Sequence, residues 1–294
     1  MFESIKNCSS EFTRRCGSYL KPFVSRNCFN PSILLTGDET LIAFRAFGET
    51  RTKPFRAYLF STDGRESSVL DLSEAMEKFG ITNVADPKLF SISGEAWLTF
   101  NTGYSKTMNR LYISKVRPSL EEPRECTVEN RQKVEKNWAF FEDQGGLRAL
   151  YSIDPLVILD VNRGANDELR FQKCFEAERQ QRRPLTIGTP MMKCDDGYMF
   201  IAHRKVQFLG KRLYFGVPAH LRIADGSYRM DLGTQRLIHD RRSLFGSWRK
   251  HNPNLISCTY FSGIARNGDD VILSYGINDL TYEFASVSEG FLWP

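Results

Sequence analysis

The sequence predicts an all-β protein, specifically a five-bladed β-propeller formed by residues 1–294 as a single domain. Three observations support this prediction. An apolar stretch, a turn rich in Gly, Asp, Glu and Asn, and a second apolar stretch recur five times along the chain. The copies begin roughly 50 to 70 residues apart, which suits one four-stranded sheet each in a closed ring of such sheets. Aromatic residues make up 13% of the chain, and aromatic side chains favour strands.

Each repeat is predicted to be a β-hairpin, because its turn residues are Gly-Asp, Gly-Glu, Gly-Gly, Asp-Gly or Gly-Asp-Asp between two apolar strands. The copies read NPSILLTGDETLIAFR from Asn30, DPKLFSISGEAWLTFN from Asp86, NWAFFEDQGGLRALYS from Asn137, TPMMKCDDGYMFIAHR from Thr189 and FSGIARNGDDVILSYG from Phe261. Residues 1–25 precede the repeats. They are predicted to form either a strand that closes the last blade or an arm that binds a partner.

Composition and charge exclude several classes of protein. No stretch reaches the roughly eighteen apolar residues of a membrane span, and the first thirty residues lack the apolar core of a signal peptide, so we expect a cytoplasmic protein. The net charge is +5, yet the basic residues are dispersed. The short basic groups at 179–183 and 241–242 carry no interleaved aromatic residues, so nucleic acid is not an expected partner.

No familiar cofactor or metal motif is present in the sequence. It contains no GxGxxG, GxxxxGK[ST], HExxH or GxSxG pattern, which argues against the common nucleotide folds and the serine hydrolases. Its seven cysteines are scattered, with no CxxC and no cysteine–histidine spacing of the zinc type. We therefore expect reduced structural thiols and no cofactor.

Polar residues are predicted to converge at one end of the ring, because the start of the first strand and the end of the second lie together in a hairpin. The strand starts offer Asn30, Asp86, Asn137 and Thr189, and the strand ends offer Arg45, Asn101, Tyr151, His203 and Tyr275. Side chains of these kinds bind hydroxyl groups and anions. The sequence therefore predicts a polar ligand site at this end.

A purely structural role is the alternative for several of these residues. A residue before proline at a strand start, such as Asn30 or Thr189, is commonly a turn former. His203 ends an apolar strand, where a hydrogen-bonded structural histidine is the alternative to a ligand. A functional role is favoured more strongly for Arg45 and Asp86 than for these residues, because a charged group among apolar strand residues needs a partner.

Several segments resemble, in chain order, the motifs of glycoside hydrolase family 130. That family includes β-mannoside phosphorylases and β-mannosidases on a five-bladed propeller, and β-mannosyltransferases are related to it. Phe29-Asn30-Pro31 with Phe44-Arg45-Ala46 is similar to its opening blade, and Asp86-Pro87-Lys88 to the Asp-Pro-Arg element that carries the catalytic acid. Tyr198 to His203 with Tyr214 resembles the blade that supplies a phosphate-contacting histidine and tyrosine, and Ser274 to Asp279 resembles the closing segment whose aspartate binds sugar. Ala85 and Lys88 stand where the family usually has Glu and Arg.

The resemblance implies an inverting displacement at an anomeric carbon, with Asp86 as the catalytic acid. It implies that His203, Tyr214 and Arg110 bind phosphate, and that no metal is required. The implied sugar-binding residues are Asn30, Arg45, Asn101, Lys136, Asn137, Tyr151, Asp154, Thr189, Tyr275 and Asp279.

Three functions remain open at the level of sequence. The leading hypothesis is a glycoside phosphorylase that uses inorganic phosphate on a β-linked, mannose-containing saccharide. A glycosyltransferase that uses a nucleotide sugar or a sugar phosphate is the first alternative, favoured by the segment Lys136-Asn137-Trp138 and the basic surface. A non-catalytic propeller that binds glycan or protein is the second. The sugar linkage, the acceptor and the oligomeric state are not predicted.

Overall fold

The computed structural model describes residues 2–48, 55–103, 108–163, 168–179, 185–245 and 250–293. Of the basic group at 179–183, only Arg179 lies within these ranges. Strands predominate, which confirms the predicted all-β class. No helix in the described ranges is both long enough and apolar enough to cross a membrane.

The strands follow one another as a series of antiparallel sheets along the chain. The segment before the repeats holds β1 (Phe2–Ser4), α1 (Glu11–Tyr19) and a 3-10 helix (Lys21–Arg26). The first sheet comprises β2 (Phe29–Thr36), β3 (Glu39–Phe47), β4 (Phe55–Thr62) and β5 (Ser67–Asp71), and α2 (Leu72–Glu77) follows it. The second sheet comprises β6 (Ala85–Ile92), β7 (Glu95–Asn101), β8 (Leu111–Lys115) and β9 (Arg124–Val128).

The remaining sheets follow the same order. The third comprises β10 (Ala139–Asp143), β11 (Gly146–Ile153), β12 (Leu156–Arg163) and β13 (Leu169–Glu176). The fourth comprises β14 (Leu185–Ile187), β15 (Met192–Cys194), β16 (Gly197–Phe208), β17 (Lys211–Ala224), β18 (Ser227–Leu232) and β19 (Arg236–Ile238). After a 3-10 helix (Arg241–Phe245), the last sheet comprises β20 (Leu255–Asn267), β21 (Asp270–Ile277) and β22 (Thr281–Ser288), and α3 (Glu289–Leu292) ends the described chain.

Every predicted hairpin is present as an antiparallel strand pair. The pairs are β2–β3, β6–β7, β10–β11, β15–β16 and β20–β21. The turns fall at the predicted Gly- and Asp-containing positions, where Gly37, Gly94 and Gly145 adopt positive φ angles that glycine accepts without steric cost. The repeat therefore determines the hairpins, and the number of blades stays a prediction.

Neighbouring sheets contact one another through both backbone and side chains. Strands β9 and β13 pair in parallel, as do β17 and β20. The Ser32 hydroxyl accepts a hydrogen bond from the Leu89 amide at 2.9 Å. The hydroxyls of Ser262 and Ser274 both donate to the Pro31 carbonyl, at 2.7 and 2.6 Å. These bonds join the first sheet to the second and to the last.

The N-terminal segment packs against the sheets near the C-terminus. Strand β1 pairs in parallel with β19, and the Cys8 carbonyl accepts a hydrogen bond from the Ser286 amide at 2.8 Å. Ser10 is the N-cap residue of helix α1, and its side-chain oxygen accepts a hydrogen bond from the Thr13 amide. Cys16 of α1 is fully buried, in one cluster with Phe284 of β22.

Aromatic side chains fill much of the space between sheets. Phe90 of the second sheet stacks on Phe140 of the third with ring centroids 5.2 Å apart, and Phe171 lies against Phe140 at 5.9 Å. Phe90 and Phe140 are almost fully buried and belong to the core. This packing holds the strand ends rigidly in place.

Candidate active site

A cavity of about 470 Å3 lies at the end of the hairpins where polar side chains are predicted to converge. It contains most of the predicted site residues, namely Asn30, Arg45, Asp86, Lys136, Asn137, His203, Tyr214 and Asp279. It also contains polar residues that were not predicted, namely Thr186, Lys205, Arg212, His251, Asn252 and Tyr260. The repeat thus brings residues from distant parts of the chain into one site.

Four of the cavity residues have left-handed backbone conformations. Asn30, Asp86 and Asn137 have φ angles of 50°, 48° and 62°, and Asp279 has a φ of 57°. Left-handed geometry costs a non-glycine residue about 1 kcal/mol or more, although Asn and Asp accept it best. The pairing register shifts at Asn30 and at Asp86, so the strands bulge there. Strain at equivalent places in separate repeats, all in one cavity, is typical of a functional site.

Asp86 forms an ion pair with Arg45 across the first two sheets. The Arg45 Nη1 atom lies 3.3 Å from the Asp86 Oδ1 atom. The guanidinium also lies over two aromatic rings, 4.6 Å from the Phe55 centroid and 5.3 Å from that of Phe29. Arg45 therefore has the anionic partner that its apolar strand demands, and it holds the Asp86 carboxylate in the cavity.

A second carboxyl group, that of Asp279, lies near Asp86. Burial raises the pKa of Asp279, and the negative charge of Asp86 raises it further, while Arg45, His251 and a hydrogen bond from Asn30 lower it. The Asn30 side chain packs closely against Gly276, where a Cβ atom would lie 1.8 Å from the Asn30 Oδ1 atom. Only glycine leaves room for this approach, so Gly276 sets the position of Asn30 beside Asp279.

Lys88 does not line the cavity but lies buried close to two of its residues, Asp86 and Asn137. Its Nζ atom donates to the Gly188 carbonyl at 2.6 Å and to the Asn137 Oδ1 atom at 3.3 Å. Burial lowers the pKa of Lys88 to about 8, although the charge of Asp86 opposes that shift. The Tyr260 hydroxyl also donates to the Asn137 Oδ1 atom, at 3.4 Å. Lys88 thus orients Asn137 and places a cation close to Asp86.

One side of the cavity is formed by β16 and β17 and carries the cations of Lys205 and Arg212. His203 and Lys205 lie two residues apart on β16, and Arg212 and Tyr214 lie two apart on β17. Lys205 and Tyr214 are direct cross-strand partners. Because side chains alternate along a strand, all four share one face of the sheet. Arg212 also hydrogen-bonds Tyr214, which opposes the rise that burial causes in the Tyr214 pKa.

His203 is neutral at neutral pH, because burial and the nearby charge of Lys88 lower its pKa to about 3. A hydrogen bond with the Phe261 backbone opposes this shift. The ring lies 4.4 Å from that of Tyr260, measured between centroids. Its Nε2 atom is buried and has no hydrogen-bond partner within the described residues. Such a group is costly to bury unless a ligand or solvent engages it.

Lys136 and Asn137 are carried by a loop that a buried carboxylate anchors. Glu135 accepts hydrogen bonds from the Trp138 indole at 3.1 Å and from the Tyr151 hydroxyl at 3.1 Å. The Glu135 backbone is bound in turn by the Asn109 side chain. Tyr151, a predicted sugar-binding residue, is therefore placed behind the loop and supports it.

Three further predicted residues lie behind the cavity wall. The Asn101 amide donates to the Ala85 carbonyl at 3.2 Å and so braces the turn at Asp86. The Thr189 hydroxyl accepts from the Ile201 amide at 3.0 Å and is fully buried. The Tyr275 hydroxyl lies 3.2 Å from the His239 Nδ1 atom in the core. These contacts suit a positioning role better than direct ligand binding.

Arg110 and Asp154 are placed outside the cavity. The Arg110 side chain is 62% exposed and lies 3.7 Å from the Glu125 carboxylate. Asp154 lies 3.9 Å from Arg179, between the third and fourth sheets. The positively charged residues that β16 and β17 place in the cavity are Lys205 and Arg212, which the sequence analysis did not identify.

The missed residues carry recognisable signals. Lys88 is a charged residue within an apolar strand and follows Asp86-Pro87 directly, and a buried charge of this kind requires a partner. Lys205, Arg212 and Tyr214 are linked to His203 by the register of a long hairpin, which continues past the end of the fourth repeat. Tyr260 directly precedes the fifth repeat. Alternation extended beyond the repeat boundaries would have found Lys205, Arg212 and Tyr260.

Comparison with known proteins identifies the fold. No family model and no curated protein sequence matches the chain. Among solved structures, a glycosyl hydrolase from Bacteroides ovatus matches with a TM-score of 0.61 at 11% identity, covering 91% of this chain and 86% of its own. The β-1,2-mannobiose phosphorylase of Listeria innocua, in complex with β-1,2-mannobiose, matches with a TM-score of 0.60 at 12% identity, covering 90% of each chain.

A third similar structure comes from the GH130 family of mannoside phosphorylases, which contains glycoside hydrolases that target β-1,2-mannosidic linkages in Candida mannan. It matches with a TM-score of 0.62 at 12% identity and covers 90% of this chain and 84% of its own. The expected resemblance to glycoside hydrolase family 130 is thus confirmed at the level of the fold. The chain has the all-β, propeller-type fold of these glycoside hydrolases and mannoside phosphorylases.

Proposed function

We propose that this protein is an inverting glycoside phosphorylase that acts on a β-linked, mannose-containing saccharide. The observation that carries the proposal is that one cavity holds two sets of groups. Its lining combines the carboxyl groups of Asp86 and Asp279 and the Arg45 guanidinium with His203, Lys205, Arg212 and Tyr214 of the β16–β17 hairpin. Phosphorolysis needs these two sets of groups: an acid for the departing oxygen, and cationic and hydrogen-bonding groups for phosphate.

In the proposed reaction, the protonated form of the Asp86 carboxyl group gives its proton to the departing glycosidic oxygen, and the proton carried by the attacking hydrogen phosphate restores the acid. A phosphate oxygen attacks the anomeric carbon from the opposite face, so one carbon–oxygen bond breaks as another forms with inversion. Lys205 and Arg212 offset the phosphate charge, and Tyr214 and His203 complete its hydrogen bonds. The products are a glycosyl phosphate and the shortened saccharide.

The sugar is held by the strained residues around the acid. Asn30, Asn137 and Asp279 offer side-chain oxygen and nitrogen atoms to hydroxyl groups, and Arg45 and Lys136 add charged donors. Their rigid backbone favours one orientation of the substrate. We propose mannose because a similar solved structure holds β-1,2-mannobiose.

Hydrolysis by the same cavity is the second candidate, since Asp86 and Asp279 could serve as an acid and a base in an inverting hydrolase. One similar solved structure is a glycosyl hydrolase, and another comes from a family that contains glycoside hydrolases. Burial and the charge of Asp86 raise the pKa of Asp279. Phosphorolysis needs no such base, because phosphate is itself the nucleophile, and the cations of Lys205 and Arg212 in the same cavity favour phosphorolysis.

The test incubates the purified protein with mannose 1-phosphate and a panel of β-linked acceptors and measures phosphate release. Parallel reactions contain β-mannobiose with and without phosphate, or GDP-mannose with the same acceptors. Phosphate release that Asp86→Asn abolishes, and that Asp269→Asn at an exposed turn retains, supports the proposal. Mannose release without phosphate would make the protein a hydrolase, and GDP release would make it a transferase. Glycan binding without turnover in any reaction would overturn all three activities.

A further inference from the structure

A cysteine, an aspartate and a histidine come together at the turn end of the fourth sheet, far from the cavity. Cys194 ends β15, Asp196 lies in the turn to β16, and His220 lies on the adjacent strand β17. His203 is six residues beyond Gly197 along β16, so the group lies roughly 20 Å from the cavity end of the same strand. It therefore belongs to neither set of groups that lines the cavity.

The polar atoms of this group converge on one point. The Cys194 Sγ atom lies 3.2 Å from the His220 Nε2 atom and 3.9 Å from the Asp196 Oδ1 atom. The His220 Nε2 and Asp196 Oδ1 atoms are 2.9 Å apart. Both the thiol and the carboxylate therefore face the same nitrogen of the imidazole.

This convergence excludes a cysteine–histidine–aspartate catalytic triad. In a triad the acid binds one imidazole nitrogen and the nucleophile binds the other, so that the proton passes through the ring. Three donors around a single point are instead the arrangement of ligands around a metal ion. We propose that Cys194, Asp196 and His220 form a Zn2+-binding site.

The separations fit zinc coordination. With zinc 2.3 Å from sulfur and about 2.0 to 2.1 Å from nitrogen and oxygen, neighbouring ligand atoms in a tetrahedron lie about 3.3 to 3.6 Å apart. The observed distances of 3.2, 3.9 and 2.9 Å bracket this range, so shifts of a few tenths of an ångström complete the geometry. A thiolate and a carboxylate also balance the two positive charges of the ion, and imidazole and thiolate ligands favour zinc over magnesium or calcium.

Surrounding residues orient the proposed ligands. Arg222 forms ion pairs with Asp196 and with Asp231, which fixes the Asp196 carboxylate. The His220 ring packs against Trp293 with centroids 5.9 Å apart. The His220 side chain is 9% exposed and that of Asp196 is 48% exposed, so the fourth coordination position faces solvent. Fixed ligands with one open side are typical of a site that binds an ion and one exchangeable ligand.

The test is metal binding by the whole protein, which does not depend on the proposed enzymatic activity. Chelator-treated protein is titrated with Co2+ under reducing conditions, and the thiolate-to-cobalt absorption band is followed, with Zn2+ as competitor. We expect one equivalent of Co2+ with that band, displaced by Zn2+. Cys194→Ser removes the band, while Cys174→Ser at an exposed cysteine of β13 retains it.

Asp196→Asn provides a second variant, because this exposed turn residue is dispensable for the core. We expect its metal dissociation constant to rise at least about tenfold, since even the loss of an outer-shell partner has that effect. Circular dichroism confirms that each variant is folded. Absence of stoichiometric binding in the wild type, or equal affinity in the Cys194→Ser and Cys174→Ser variants, would overturn the proposal and leave a shared hydrogen bond as the role of the group.

Discussion

The two sides of the cavity are built in different ways. Asn30 and Asp86 are presented by bulged strand starts, and Asn137 by the loop before β10. All three have left-handed backbone, and each belongs to a different sheet repeat. His203, Lys205, Arg212 and Tyr214 are presented by one regular hairpin, in which alternation alone puts them on one face. The first side has its geometry imposed by strain and by surrounding packing. The second follows directly from strand register, so its residues are the more replaceable.

The largest expected effect is on the strained side. Asp86→Asn removes the acid without changing the shape of the side chain, so we expect turnover to fall about 10²- to 10⁴-fold. Asp279→Asn loses a sugar contact, so we expect a raised KM with a smaller fall in kcat. Steady-state kinetics with mannose 1-phosphate measures both.

Equal losses of kcat in the two variants would contradict this division of roles. They would indicate that Asp86 and Asp279 act as an acid and base pair. Asp269→Asn, in an exposed turn between β20 and β21, is the matched control.

The second-largest expected effect is a loss of stability in acid, which arises because the folded protein disfavours protonation of His203. Its pKa of about 3 in the folded protein lies below the unfolded value of 6.5, so the folded state binds fewer protons between these values. The free energy of unfolding therefore falls as the pH drops from about 6.5 towards 3. Well inside this range, the loss is about 1.4 kcal/mol per pH unit. His203→Gln cannot take up this proton, so the variant should lose about 2 to 3 kcal/mol less than the wild type between pH 6.5 and pH 4.

Urea unfolding at the two pH values measures this difference. Lys211→Gln, at an exposed residue of β17, leaves His203 in place and should lose as much stability in acid as the wild type does. An identical acid loss in His203→Gln and the wild type would show that His203 is accessible to protons in the folded state. That result would also remove the basis for treating it as a neutral ligand.

The smallest expected effect is on the hairpin side. Arg212→Gln removes one of two cations proposed for phosphate, so we expect the KM for phosphate to rise about 10- to 100-fold, the equivalent of one charged hydrogen bond. Lys211→Gln, the adjacent exposed residue that does not line the cavity, is the matched control. An unchanged phosphate KM in Arg212→Gln, measured in phosphorolysis of β-mannobiose, would move the anion site elsewhere in the cavity.

Short-range sequence patterns were sufficient to predict the hairpins and many of the residues in the cavity. Turn residues and alternation predicted all five strand pairs, because both are short-range consequences of backbone sterics and side-chain direction. The same logic placed Asn30, Arg45, Asp86 and His203 in one cavity, since equivalent positions of equivalent hairpins meet at one end. Arg110, which the family resemblance suggested as a phosphate ligand, precedes β8 and has an exposed side chain outside the cavity.

By itself, the sequence determined the β-hairpins and the end of the hairpins at which polar residues gather. It also singled out Asp86 and Arg45 as the two charged residues that most favour a functional role. Only the tertiary structure decided that Lys88 lies buried close to Asp86, that Lys205 and Arg212 line the cavity, and that Cys194 meets Asp196 and His220. The physical reason is that strand alternation is a property of neighbouring residues. Burial, charge coupling and convergence on one point depend on contacts between strands that are distant in the chain.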